Sequence, residues 1–126
     1  MKPKLNSVFV DHILQAFADV TGFVSGQASE TFGSDKLVSY ATIRALLIVG
    51  EASKSIDPEV RDRFPEIPWR SMTGMRDRLV HDYFDTEWAI VWNVATVEIP
   101  ALNSPMLRIR DQLELEEAQQ QPETIG

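Results

Sequence analysis

The chain contains no cysteine, and its 126 residues include only two histidines, His12 and His81. Without cysteine there is no disulfide bond, no thiolate nucleophile and no zinc site built on sulfur. The two histidines do not form a His-Glu-x-x-His pair, so their spacing predicts no dedicated zinc site. A Walker-type glycine loop is also missing. We therefore expect neither a metal nor a cofactor.

Long apolar runs are scarce as well. No stretch approaches the roughly 18 uncharged residues that a membrane-spanning helix needs. The best candidate, residues 41–50, is short and contains Arg44. The N-terminal region has no uninterrupted apolar core of a signal peptide, because Asp11, His12 and Gln15 interrupt it. These features predict a cytoplasmic protein that does not enter a membrane.

The net charge of −7 argues against a protein that binds nucleic acid through bulk positive charge. The charge is unevenly distributed, however. Residues 61–80 contain five arginines against three carboxylates, whereas residues 111–126 contain five carboxylates and no basic residue. An anionic ligand is therefore expected near residues 61–80, although each arginine taken singly is more typical of a solvated helix face.

The periodicity of apolar residues predicts an all-α fold. A chain of this length forms one domain, and its apolar residues recur every three or four positions with almost no strand-like alternation. We expect an antiparallel bundle of four or five helices. The predicted domain covers residues 1–118, and the polar, acidic residues 119–126 are predicted to be disordered.

The predicted helices are delimited by caps and prolines. A first helix spans about residues 5–25, and a second follows a cap at Ser34 or Asp35. A short turn begins at residues 57–59, and a third helix runs from about residue 69 to residue 82. Asp85 is expected to cap a fourth helix, which Pro100 should kink or divide from a last segment.

Residues 76–83, Arg-Asp-Arg-Leu-Val-His-Asp-Tyr, form the one chemically crowded segment that contains a histidine. Asp77 and Arg78 are four and three positions before His81, so on a helix both share its face. Arg76 is five positions away, at about 140° around an ideal helix. Arg76 and His81 can then meet one ligand if the helix ends there, if the arginine reaches round, or if a second subunit completes the site.

These side chains suit cleavage of a phosphodiester. Arginine binds phosphate through a planar fork of donors and stabilises charge that grows on phosphorus. Histidine can accept a proton from a ribose 2′-hydroxyl or donate one to the leaving 5′-oxygen. RNA supplies its own nucleophile, and a 2′,3′-cyclic phosphate is the expected product. On spacing alone, a histidine near a helix end is more often a structural or capping residue.

Several segments together resemble the HEPN superfamily, in the form of its HepT-like ribonuclease toxins. Residues 76–83 are similar to the Arg-x4–6-His motif with a His-x-Tyr ending. Residues 48–54, Ile-Val-Gly-Glu-Ala-Ser-Lys, resemble the Ile-Gly-Glu-Ala segment of the second helix of the family. Residues 64–70 resemble its Pro-x-Ile-Pro-Trp connection, and residues 91–102 its fourth-helix pattern. The similarity covers roughly residues 40–105 in the right order.

The resemblance implies a HEPN-type bundle that forms a homodimer, with the two motifs facing each other across a cleft. It implies a metal-independent endoribonuclease toxin in which Arg76 binds the scissile phosphate of RNA and His81 acts as acid or base. Asp77 and Arg78 would be supporting residues. It also implies an MntA-like nucleotidyltransferase antitoxin that transfers AMP units to Tyr83.

One departure keeps an alternative open. Position 77 is Asp, whereas close relatives commonly have Asn, and a carboxylate beside the scissile phosphate would weaken RNA binding. Together with the acidic net charge, this favours a second hypothesis, a non-catalytic HEPN-like module that binds a nucleotide or a partner protein. A helical adaptor without any site is the third.

Overall fold

The computed structural model describes residues 5–82 and 85–120, and every regular element in these ranges is helical. The all-α prediction is confirmed. Three long helices and the unbroken helical stretch of residues 88–120 form the four main rods of the bundle. Two single-turn helices connect the first three of them. The elements are α1 (Asn6–Val24), α2 (Ser29–Phe32), α3 (Lys36–Ser55), α4 (Pro58–Asp62), α5 (Trp69–His81), α6 (Trp88–Asn93), a π-helical segment (Val94–Glu98) and α7 (Ile99–Gln120).

Contacts between helix ends define an antiparallel bundle. The start of α1 meets the end of α3, where the Asn6 Oδ1 accepts a hydrogen bond from the backbone N–H of Asp57 at 2.9 Å. The start of α1 also meets the end of α7, where the Ser7 hydroxyl donates to Glu117 at 2.5 Å. The Ser7 backbone N–H donates to the same carboxylate at 3.2 Å. Glu117 thereby satisfies a donor that the first turn of a helix would otherwise leave unpaired.

Helix α1 lies at the centre of the core and packs against α3, α7 and the π-helical segment. The prediction of a helix over about residues 5–25 is confirmed, and its buried residues recur every three or four positions. Apolar residues from every other rod complete this core. The buried apolar residues of α1 are Val10, Ile13, Ala16, Phe17, Val20 and Val24.

Asp35 is the cap of α3. Its Oδ1 accepts a hydrogen bond from the backbone N–H of Val38 at 3.2 Å. Ser34, the other candidate, donates its hydroxyl to the carbonyl of Thr31 at 3.0 Å and so belongs to the preceding turn. The acidic side chain also suits the positive end of the helix dipole.

The predicted start of the fourth helix is wrong by two residues. The helix begins at Trp88 with Glu87 as its N-cap and has no side-chain cap, whereas Asp85 was expected to cap it. The reason is tertiary packing. Trp88 lies against Gly33, where an added Cβ would be 2.6 Å from the indole, and contacts the Phe32 ring edge-on at 5.8 Å. The indole therefore fixes where the helix can begin.

Pro100 changes the type of helix without ending it. Residues 94–98 adopt a π-helix directly before it, in which the backbone N–H of Ile99 donates to the carbonyl of Val94. Proline has no N–H, so the regular bond to the carbonyl of Thr96 cannot form. The chain remains helical through α7, which ends at Gln120. The domain boundary at residue 118 stays a prediction, and residues 121–126 of the expected tail lie outside the described residues.

Within the described part of the chain, no helix combines the length and the apolar character needed to cross a membrane.

Candidate active site at the end of helix α5

Helix α5 runs from a buried anchor to an exposed end that carries the motif. At its start, the buried Trp69 donates its indole N–H to the carbonyl of Phe64 at 3.0 Å. Pro68 precedes this residue and prevents an earlier start. At its end, the backbone N–H of Asp82 donates to the carbonyl of Arg78 at 2.8 Å, and His81 is the last helical residue. Trp69 is the only buried residue of α5, so most of the helix lies at the surface.

A glycine allows α5 to lie unusually close to α3. Gly50 of α3 is buried against Arg76 and Met72. A Cβ added at Gly50 would lie closer than 3.0 Å to the Cβ of Arg76 and 3.2 Å from the carbonyl oxygen of Met72. Real Cβ atoms do not tolerate such a contact. The absence of a side chain at Gly50 therefore determines how near the stem of Arg76 comes to α3.

The guanidinium of Arg76 is held by two carboxylates. Its Nε lies 2.5 Å from Oε1 of Glu51, the residue that follows Gly50 on α3. Its Nη1 donates to Oδ1 of Asp77 at 3.1 Å. The Arg76 side chain is 30% exposed, so the group remains accessible from solvent. Glu51 was not identified from the sequence as a partner of Arg76, although it lies in the Gly-Glu pair of the segment at residues 48–54.

His81 and Arg78 are exposed at the last turn of α5. In the ranges that the structure describes, the Asp77 carboxylate bonds to Arg76, and no bond joins it to His81. The helix stays α-helical up to His81, which places Arg76 and His81 about 140° apart around its axis. Tyr83 lies outside the described residues. One copy of α5 therefore does not direct Arg76 and His81 at the same point.

The two depressions beside the end of α5 differ in charge. One lies between α5 and α6 and includes Arg78 with the carboxylates Asp82, Asp85 and Glu87. The other lies between α3, α5 and α6, and the only charged residue among its lining residues is a lysine. These residues are Gly33, Lys36, Tyr40, Ile43, Leu79, Thr86 and Trp88. A phosphodiester chain that reaches the motif meets less electrostatic repulsion in the depression between α3, α5 and α6 than in the one between α5 and α6.

Part of the basic segment at residues 61–80 stabilises the fold. Arg63 donates two hydrogen bonds to Glu116 of α7, at 2.9 and 2.6 Å. These bonds lower the pKa of Glu116, to which Gln112 adds a further hydrogen bond, and they raise the pKa of Arg63. Arg63 is thus already paired. The expected cluster of five arginines does not act as one patch for an anion.

The groups at the end of α5 can bind phosphate and move a proton. Arg76 offers a guanidinium, and His81 offers an exposed imidazole, a group that can accept or donate a proton. In the described ranges, no three His, Asp or Glu side chains lie close enough together to hold a metal ion. The chemistry that Arg76 and His81 themselves supply is phosphate binding and proton transfer.

The family model described as Ribonuclease HepT-like matches residues 13–109 of the chain. The chain belongs to this family. It is 35% identical over 106 residues to "Putative RNase MJ1216" of Methanocaldococcus jannaschii, across 84% of this chain and 88% of that protein. It is 37% identical over 102 residues to "Probable ribonuclease HepT" of Thermococcus cleftensis, across 81% of this chain and 93% of that protein. No solved structure matches the chain significantly.

The family predicted from the motif and its flanking segments is thereby confirmed, and so is the class of enzyme, an endoribonuclease. The matched range includes α3 and α5, and with them Gly50, Glu51, Arg76 and His81. The match to the HepT-like family model thus covers the whole region where α3 contacts the motif arginine.

Replacing Gly50 by alanine is expected to lower the free energy of unfolding by about 1–3 kcal/mol, because the new methyl group overlaps the stem of Arg76. Gly74→Ala is the matched control, since nothing lies within 4 Å of a Cβ added at that position of α5. The control should leave stability unchanged or raise it by up to about 1 kcal/mol, because alanine favours a helix. Urea denaturation measures both; equal effects would contradict the close approach of α3 and α5.

Proposed function

We propose that this HepT-like chain is a metal-independent endoribonuclease toxin that cleaves RNA with Arg76 and His81 and leaves a 2′,3′-cyclic phosphate. The observation that carries the proposal is the position of Arg76. Its guanidinium is held at the edge of α3 by Glu51 at 2.5 Å. Arg76 itself belongs to α5, the helix that ends in the exposed His81. Membership in a ribonuclease family supports RNA as the substrate.

The proposed reaction needs only groups of the chain and of RNA. The ribose 2′-oxygen attacks the adjacent phosphorus as its proton leaves, and the bond from phosphorus to the 5′-oxygen breaks when that oxygen gains a proton. His81 provides one of these two transfers, as acid or as base. Arg76 binds the non-bridging oxygens, whose negative charge grows in the pentacoordinate state. Arg78 adds positive charge in the same helical turn.

Purified protein is expected to cleave single-stranded RNA in EDTA, and Arg76→Ala and His81→Ala should each lower the rate at least about 100-fold. Removal of one general acid or base, or of one donor to the developing charge, typically has an effect of this size. Gel analysis of labelled RNA measures the rates. Equal cleavage by wild type and both variants would contradict the proposal and leave the non-catalytic nucleotide- or partner-binding module as the better hypothesis.

We infer that the active form is a homodimer. In one chain, Arg76 and His81 point about 140° apart, so a second α5 is the simplest way to complete the site. The apolar surface near the motif supports this. Leu37 is 86% exposed, Tyr40 of the same α3 face is 61% exposed, and Val80 of α5 is 41% exposed. Exposed apolar side chains of this kind are typical of an interface.

The three tryptophans do not contribute to this apolar surface. Trp69 is buried at 8% exposure, and Trp92 packs on the ring of Phe32 at 5.2 Å between centroids. Trp88 contacts the same ring. All three lie in or against the core of one chain, so the inference of a dimer rests on the exposed side chains of α3 and α5.

Light scattering at micromolar concentration should give the mass of two chains for the wild type. Leu37→Glu should shift the mass toward one chain, because it places a charge in the inferred interface. Leu115→Glu on α7 is the control, since Leu115 is also exposed, at 60%. A wild type that is monomeric, or a control that dissociates as readily as Leu37→Glu, would contradict an interface on α3.

We further propose that an MntA-like nucleotidyltransferase antitoxin neutralises the toxin by transferring AMP units to Tyr83. Tyr83 is two positions after His81. Each AMP adds bulk and negative charge beside the arginines of the motif, where it opposes the binding of an RNA phosphate. We infer that this toxin–antitoxin pair acts in the cytoplasm.

Co-expression with such a nucleotidyltransferase is expected to raise the mass of the peptide that contains Tyr83 by one or more AMP units. The same peptide from Tyr83→Phe should keep its unmodified mass, because the phenol oxygen is the acceptor. Peptide mass spectrometry measures both. An AMP adduct on Tyr40, the other tyrosine of the chain, or no adduct at all, would refute the assignment.

A further inference from the structure

The two carboxylates that hold Arg76 occupy different nitrogens of its guanidinium. Glu51 takes Nε at 2.5 Å, and Asp77 takes Nη1 at 3.1 Å. Among the described residues, none is bonded to Nη2. The N–H groups that remain free in this arrangement are the two of Nη2 and one of Nη1.

Arginine binds phosphate best through two parallel N–H donors on neighbouring nitrogens. A guanidinium offers two such pairs, Nε with Nη2 along one edge and Nη1 with Nη2 at the end. In this structure each pair includes one nitrogen that contacts a carboxylate. A phosphate that binds Arg76 through two nitrogens therefore competes with the negative charge of Glu51 or of Asp77.

The two contacts are not equally easy to displace. The Glu51 contact is shorter by distance, and its backbone is fixed beside Arg76 by the close packing of Gly50. Asp77 is the chain neighbour of Arg76, and its contact at 3.1 Å is the longer one. Both carboxylates are about half exposed, 56% for Glu51 and 53% for Asp77, so exposure does not separate them. Only the Asp77 contact has hydrogen-bond geometry, but Glu51 is supported by the packed backbone of a separate helix, which makes Asp77 the partner that is easier to displace.

We propose that Glu51 is a positioning residue, which holds Arg76 through Nε, and that Asp77 is an inhibitory contact, which an RNA phosphate displaces from Nη1. This inference rests on the proposed ribonuclease function. Once Asp77 leaves, the end of the guanidinium presents Nη1 and Nη2 together to the phosphate. The carboxylate of Asp77 then remains one residue away and repels the same phosphate.

The proposal predicts opposite effects for two substitutions that each remove one negative charge and almost no volume. Asp77→Asn removes the competing charge and should tighten RNA binding. Glu51→Gln weakens the hold on Nε, so Arg76 is less often directed at the phosphate and the rate of the chemical step should fall. Asp62→Asn on α4 is the control, because Asp62 is exposed and makes no bond to Arg76.

Affinity is measured by fluorescence anisotropy with a labelled single-stranded RNA, in protein that carries His81→Ala to suppress cleavage. In that background Asp77→Asn should lower the Kd about tenfold, which corresponds to about 1.4 kcal/mol, and Asp62→Asn should change it less than about twofold. With His81 intact, Glu51→Gln should lower kcat about tenfold and leave KM nearly unchanged. In an Arg76→Ala background, Glu51→Gln should lower kcat no further.

The controls separate a failure of this inference from a failure of the proposed function. If Arg76→Ala binds and cleaves RNA as well as the wild type, the proposed function itself is wrong. If Arg76→Ala is impaired but Asp77→Asn behaves like Asp62→Asn, the inhibitory contact is refuted. A kcat loss from Glu51→Gln that persists in the Arg76→Ala background refutes the positioning role. Thermal melting of each variant verifies that the chain is folded.

Discussion

The close approach of α3 and α5 at Gly50 is the constraint on which the candidate site depends. Because Gly50 has no side chain, the stem of Arg76 fits against α3 at that position. Glu51, the next residue of α3, then reaches the guanidinium of Arg76 at 2.5 Å. The ion pair depends on Gly50, because a side chain at that position would move α5 away. A packing detail of the backbone thus determines where the cation of the motif lies.

The rest of the bundle supplies a rigid base for this contact. Helix α1 fills the core between α3 and α7, and Glu117 satisfies backbone donors at its start. Helix α5 itself is held in place by few buried groups, chiefly Trp69. A helix that is anchored at one end and exposed at the other is well suited to present a motif to RNA or to a second subunit. Because the last turn of α5 is exposed, its surroundings depend on the molecule that binds there.

The acidic character of the chain has a local counterpart at the site. Arg76 is neutralised by Glu51 and Asp77, and Arg63 is bonded to Glu116. Besides the net charge of −7, these ion pairs limit the number of arginines that can bind an anion. Such a chain should bind RNA through a few defined contacts, with a weak dependence on salt compared with strongly basic proteins.

Local patterns predicted much of this arrangement. The span of α1, the cap of α3 at one of two candidates and the start of α5 after Pro68 followed from spacing, capping and prolines, whereas the family followed from the resemblance of several segments. Contacts between distant segments were beyond such patterns. The start of α6 depends on Trp88 packing against Gly33, and the π-helical segment reflects how the chain accommodates Pro100 while remaining helical.

At the site, the sequence identified Arg76, His81 and Tyr83 as candidates but not the neighbours of Arg76. It placed Asp77 on the same helix face as His81, whereas the Asp77 carboxylate bonds to Arg76. The partner on α3, Glu51, is 25 positions away along the chain, and only the packing of two helices reveals the pair. Positions on one helix can be compared by angle, but ion pairs between helices require their relative placement.

The most direct test of metal-free cleavage by the motif uses an RNA that carries one 2′-deoxy substitution at the cleaved nucleotide. In EDTA, the account predicts that the unmodified RNA yields a fragment ending in a 2′,3′-cyclic phosphate and that the single substitution abolishes cleavage at that bond. Both results follow because the 2′-oxygen is the nucleophile and His81 and Arg76 only assist it. Cleavage that continues at the substituted position, or a fragment ending in a free 3′-hydroxyl, would contradict it.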